Sequence, residues 1–154
     1  MTQLHHSPNT KYCRQYSRSL PSRTMTISPP VPDVDYLQIE DATHRDPKSL
    51  SKTTAKVLHL LLTSDLSRLR SNSVADELSI SPTTLRRRLR ADHVNYQELL
   101  DLARQYRCEQ RLAKGWVPGK TLAWDLGYAE VNSFYRAFKR WTGSNYSDIK
   151  LSYV

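Results

Sequence analysis

The sequence predicts an all-α protein, and three observations carry that prediction. From Asp46 onward, apolar residues recur at helical spacing rather than in alternation. Capping residues before the periodic segments and glycines after them divide this stretch into helices of ordinary length. No strand-rich region interrupts the pattern.

The elements follow in order. Residues 1–46 are expected to be a poorly ordered tail, rich in Ser, Thr and Pro, in which Pro29-Pro30-Val31-Pro32 favours an extended path. Within the tail, Val34-Asp35-Tyr36-Leu37-Gln38-Ile39 alternates like a short strand, with no sheet to join. The folded region is expected over 47–154. Asp46-Pro47 reads as an N-cap followed by proline at the first helical position. Leu50, Val57, Leu58, Leu61 and Leu62 then share one helical face. A second helix starts near Asn72 or Ser73 and carries Val74, Ala75 and Leu78. Ser79-Ile80-Ser81-Pro82 ends it and begins a third, on which Leu85 and Leu89 point inward. Asn95 with Glu98 resembles a capping box. The helix from Asn95 to Lys114, stopped by Gly115, has 20 residues and a length of about 30 Å. A shorter helix near Thr121 to Leu126 ends at Gly127. The last strong helix spans Asn132 to Trp141 and stops at Gly143.

Composition narrows the function. Lys and Arg total 23 against 15 Asp and Glu, giving a net charge of +8 and a pI of about 9.7, the balance of a polyanion binder. Lys11, Arg14, Arg18 and Arg23 make the first 30 residues basic. Asp33, Asp35, Glu40, Asp41 and Asp46 make the next stretch acidic, and basic residues dominate again from Lys48 onward. The basic arm reads first as a solvated tail, with contact to DNA as the alternative. The longest apolar stretch, Val57 to Leu62, is broken by His59 and is far short of a membrane span. The N-terminus lacks the apolar core of a signal peptide. Cys13 and Cys108 are too far apart for a local metal motif and fit a reducing compartment, Cys108 as a small core residue. His5-His6 reads as a tail feature rather than a metal site. No nucleophile–base spacing and no phosphate-cradling glycine loop is visible, so neither an enzyme nor a cofactor is expected.

One layout occurs twice. Ala75, Ser79 and Leu85 sit at offsets of four and ten, and Ala123, Gly127 and Phe134 at four and eleven. Each set places a small residue in a first helix, a small residue at a turn and an apolar anchor in a second helix. Two closely crossing helices of a helix-turn-helix require this arrangement. With Leu85 and Leu89 inward, Thr83, Arg86, Arg87 and Arg90 face outward at i, i+3, i+4 and i+7. Arginine suits bidentate contact with guanine and with phosphate. The bland reading is a solvated face, but Arg86, Arg87, Arg88 and Arg90 crowd together at a cost unless an anion is near. In the last helix Phe134, Phe138 and Trp141 read as core. Ser133, Arg136, Lys139 and Arg140 lie elsewhere on the cylinder, with Arg136 the first choice for DNA. Tyr135 either packs or faces a thymine methyl. A rigid helix of about 30 Å is close to the ~34 Å between successive major-groove faces, so one chain can present two reading heads.

These residues carry a specific resemblance. Residues from about 57 to 150 resemble the DNA-binding domain of AraC/XylS-family transcription regulators. The first module runs from Ser73-Val74-Ala75-Asp76-Glu77-Leu78 to Thr83-Thr84-Leu85-Arg86-Arg87-Arg88-Leu89. The second is Leu122-Ala123-Trp124-Asp125-Leu126-Gly127-Tyr128 followed by Phe134-Tyr135-Arg136-Ala137-Phe138-Lys139-Arg140-Trp141-Thr142-Gly143. The resemblance implies two helix-turn-helix modules, at about 72–92 and 120–142, joined by a linker helix at about 95–114. It implies a bacterial, cytoplasmic regulator, associated with the nucleoid when bound to DNA, an activator that binds double-stranded promoter DNA as a monomer, with RNA polymerase as a further partner. Thr83, Arg86 and Arg87, and Asn132, Ser133 and Arg136, match the family's DNA-contacting positions. The outward faces add Arg90 and Lys139.

The chain departs from the family pattern at three places. His93 stands where Gly usually follows the first recognition helix. Gly119 stands where a branched aliphatic precedes Leu122, and Tyr146, Ile149 and Lys150 replace a Pro, aromatic and Arg pattern. Gly119 is expected to forfeit a buried side chain worth about 1.5–3 kcal/mol and to weaken the second module. These departures motivate an alternative reading, a degenerate or truncated copy that acts as an interaction module or antagonist. Some DNA-repair methyltransferases join a related domain to a cysteine cluster, but only Cys13 precedes the helices here. Family members often carry a sensing domain ahead of this one, so both a stand-alone regulator and part of a longer one fit the sequence.

Overall fold

The computed structural model describes residues 36–43 and 49–153. Among them the regular elements are all helical. They are α1 (Tyr36–Thr43), α2 (Lys52–Thr63), α3 (Ser71–Glu77), α4 (Pro82–Ala91), α5 (Tyr96–Ala113), α6 (Gly119–Asp125), α7 (Val131–Thr142), α8 (Tyr146–Ile149) and a closing 3-10 turn (Lys150–Tyr153).

Short polar side chains start several of these helices. The Ser51 hydroxyl accepts from the Thr54 N–H at 3.2 Å and opens α2. Ser81 does the same for Thr84 at 3.1 Å, ahead of Pro82 in the first position of α4. Asn95 and Glu98 form the reciprocal box expected of them, each backbone N–H meeting the other's side-chain oxygen at 2.9 Å.

The two helix-turn-helix turns are closed by the same pair of bonds. In the first, Ser79 N–H meets Asp76 O at 2.9 Å and Ile80 N–H meets Ala75 O at 3.0 Å. In the second, Gly127 N–H meets Trp124 O at 2.9 Å and Tyr128 N–H meets Ala123 O at 2.9 Å. Ser79 and Gly127 both take positive φ, 56° and 79°. The repeated offset in the sequence is therefore a repeated backbone.

Helix α5 divides its buried face between two cores. Leu99 and Ala103 belong to the first, with Ile39, Val57, Leu58, Leu61, Val74, Leu85 and Leu89. Cys108 and Leu112 belong to the second, with Leu122, Leu126, Phe134, Phe138, Trp141, Tyr146 and Ile149. Each core of this kind is held mainly by burial of whole aliphatic and aromatic side chains, at about 1.5–3 kcal/mol apiece. Asp92, at the end of α4, ties the first module to α2. Its carboxylate accepts the Ser51 N–H at 3.1 Å and the hydroxyl of buried Thr54 at the start of α2.

Three expectations need correction. Residues 36–43 form helix α1, where the alternation over 34–39 suggested a short strand. Ile39 and Ala42, three apart, are buried against α2 and α5, and that tertiary burial outweighs a local pattern that has no partner strand. The helix carrying Val57 to Leu62 begins at Lys52 under a Ser51 cap, while Asp46-Pro47 lies outside the described residues. The linker helix has 18 residues rather than 20, so it is about 27 Å long. Helix α8 and the 3-10 turn carried no sequence signal strong enough to place them. The expectation for residues 1–35 lies outside the described residues.

Candidate nucleic-acid interface

On α4 the core takes Leu85 and Leu89, and the sequence spacing then leaves Thr83, Arg86, Arg87 and Arg90 exposed. Arg86 Nη2 lies 3.4 Å from Thr83 Oγ1, and none of the three arginines is paired with a carboxylate among the described residues. Arg88 turns toward α2, with Nη1 3.4 Å from Thr53 Oγ1. The face therefore presents unneutralised guanidinium groups on one side of a rigid helix.

On α7, Phe134, Phe138 and Trp141 are buried as their spacing required, and Asn132, Arg136 and Lys139 are exposed. Ser133 is half-buried, in a cleft between α5 and α7 lined also by Asp101, Arg104 and Arg140. Arg140 is paired with Asp101, which separates it from Arg136 and Lys139. Tyr135 packs. Its ring stacks on Tyr146 with centroids 6.0 Å apart, and a Cβ at Gly119 would fall 2.5 Å from it.

That contact bears on Gly119. The outer end of the Tyr135 ring lies over Gly119, so a side chain at 119 requires that ring to move aside. Tyr146 is equally well placed. It is buried, its hydroxyl donates to Val117 O at 2.5 Å, and its ring stands edge-on to Phe134 and Phe138 at 5.1 and 5.0 Å. His93 holds φ of 59°, the conformation for which glycine is the usual choice.

The side chains that join the modules were not singled out from the sequence. Arg104 of α5 donates from Nε to Leu126 O at 2.8 Å and from Nη2 to Gly127 O at 3.0 Å, and lies 4.0 Å over the Tyr128 ring. Arg107 donates to Leu61 O at 3.0 Å and to Ser64 O at 2.6 Å. Each arginine thus satisfies carbonyls at the C-terminal end of one helix, α6 or α2. Burial lowers the pKa of Arg107, while Asp65 and Asp125 oppose the shift. Burial also pushes Tyr128 up to about 12. Gly127 sits against the loop after α2, where a Cβ would meet Leu66 O at 2.5 Å. Asp101 accepts from the Trp141 indole at 3.1 Å and pairs with Arg140. The signal for this seam was the stripe Asp101, Arg104 and Arg107 at helical spacing on one helix.

Two like modules, each with an exposed polar second helix and joined by one long helix, define a double helix-turn-helix protein. The helix-turn-helix domain family of the AraC type matches residues 74–150, and the chain belongs to it. The HTH-type transcriptional regulator VqsM of Pseudomonas aeruginosa is 33% identical over 81 residues, covering 53% of this chain and 25% of that protein. The ornithine utilization regulator of the same species is 37% identical over 76 residues, or 49% of this chain and 22% of that protein. The chain therefore spans a quarter or less of the length of these curated relatives. A solved DNA-binding transcriptional dual regulator from Escherichia coli K-12 shares the fold, with a TM-score of 0.59 at 23% identity over 66% of this chain and 93% of that one. This is a family of transcription regulators and not an enzyme family. Among the described residues no helix is long and apolar enough to cross a membrane.

Proposed function

We propose that this chain is a sequence-specific transcription regulator that reads two adjacent major-groove segments of promoter DNA as a monomer. On this reading it acts in the cytoplasm as an activator, with RNA polymerase as its protein partner. Thr83, Arg86, Arg87 and Arg90 form the first reading face, and Asn132, Ser133, Arg136 and Lys139 the second. The observation that carries the proposal is the pair of second helices, α4 and α7, each with exposed cations, built on the same turn and joined through one 18-residue helix. Its length of about 27 Å is close to one turn of duplex, ~34 Å, so a rigid body of this size spans neighbouring groove segments on one face. The second reading, a degenerate or truncated copy acting as an interaction module or antagonist, predicts binding without an enriched sequence.

The test is selection of bound sequences from a random duplex pool at near-physiological salt. Two enriched blocks about one helical turn apart are expected. A single short block would restrict base reading to one module. No enrichment by the folded protein would overturn the proposal.

A further inference from the structure

Asp101 is a carboxylate of α5 placed between the two hydrophobic cores. Its neighbours on the helix, Leu99 and Ala103, are buried in the first core. Both of its partners stand on α7, whose buried face belongs to the second. Oδ2 accepts from the Trp141 indole N–H at 3.1 Å, and Oδ1 pairs with Arg140. The indole nitrogen is a donor only, on a ring that is 2% exposed, so it has a strong demand for this acceptor. Residues 140 and 141 leave the helix about 100° apart, so a carboxylate gripping both fixes the rotation of α7 about its axis as well as its distance from α5. Arg136 precedes Arg140 by one turn, and any rotation at Arg140 reappears at Arg136.

We infer that Asp101 is a positioning residue that sets the spacing and phase the protein demands between its two DNA blocks. This rests on the two-segment reading proposed above. Asp101 itself touches no base. It acts by holding the second reading helix at one angle to the first module, so that both faces meet DNA together at a single separation. With the clamp gone, the second module remains closed by its own core and by Arg104, but α7 gains freedom to follow blocks set nearer, farther or rotated.

The experiment takes the selected two-block site and measures affinity on duplexes with zero, one or two base pairs added or removed between the blocks. A duplex with the first block alone is the control. The unmodified chain is expected to show one preferred spacing and to lose about tenfold for one base pair of change. Asp101→Ala is expected to lose several-fold at the preferred spacing and to bind its neighbours within about twofold of it, with first-block affinity unchanged. Asp101→Asn retains an acceptor for the indole and is expected to fall between. Arg140→Met removes the ion pair alone and should match it. If Asp101→Ala keeps the original spacing preference, the inference is overturned. It is also overturned if the variant loses the second block at every spacing, since Asp101 would then be needed only for the module to fold. A parent chain that shows no spacing preference would sink the two-segment reading itself.

Discussion

Ser79 and His93 hold φ of 56° and 59° at the two ends of the α4 segment, where an L side chain crowds the following carbonyl. Ser79 also stands at the turn position that Gly127 occupies in the second module. Ser79→Gly and His93→Gly are each expected to raise stability by about 0.5–1 kcal/mol, read as a higher denaturation midpoint with an unchanged denaturant slope. A lower midpoint would mean that the serine or imidazole makes a contact worth more than the backbone strain. Arg86 invites a different experiment, because it is exposed and its guanidinium meets the Thr83 hydroxyl on its own helix. Arg86→Ala is expected to weaken the selected site by about 1–3 kcal/mol and to relax preference at one base position. An equal loss on every sequence would make Arg86 a phosphate contact instead.

At the scale of elements, packing decides what the local pattern left open. The repeated offsets at Ala75 and Ala123 were legible because each helix-turn-helix turn is a local structure whose bonds close within six residues. The inward faces of α4 and α7 were legible for the same reason, since helical spacing alone places Leu85, Leu89, Phe134, Phe138 and Trp141. Helix α1 was not, because Ile39 and Ala42 gain their burial from packing against α2 and α5, far along the chain. Nor was the fit of Gly119, which depends on a ring sixteen positions later. The seam was missed because a charged residue on a helix looks the same whether it meets water or a distant carbonyl. Tyr128 belongs to that seam. Burial raises its pKa from 10.0 to about 12, so the folded state holds the phenol proton more tightly than the unfolded chain does. That contribution is complete below about pH 10 and is lost as pH climbs toward 12, about 2–3 kcal/mol in the limit. Stability measured from pH 9 to 12 is therefore expected to fall more steeply in the parent than in Tyr128→Phe. Parallel curves would place the ring in solvent and remove this role.

For the whole molecule, charge and shape have to act together. The net charge of +8 speaks only for attraction to a polyanion, and its distribution makes that attraction directional. Arg86, Arg87, Arg90, Arg136 and Lys139 are exposed on two helices, while Arg104, Arg107 and Arg140 are spent on holding the modules together. Binding should therefore release fewer counterions than the total of basic residues suggests. Each phosphate neutralised contributes about −0.9 to the slope of log affinity against log salt, so these five cations give about −4.5 if all meet phosphate. A measured slope between about −2 and −5 is expected, with Arg87→Ala making it shallower by about one. Arg104→Ala is expected to leave the slope of first-block binding alone, because its guanidinium faces carbonyls of the fold and not solvent. A flat response to salt would contradict binding through these faces. A slope far steeper than −5 would mean that further cations, beyond α4 and α7, lie along the duplex.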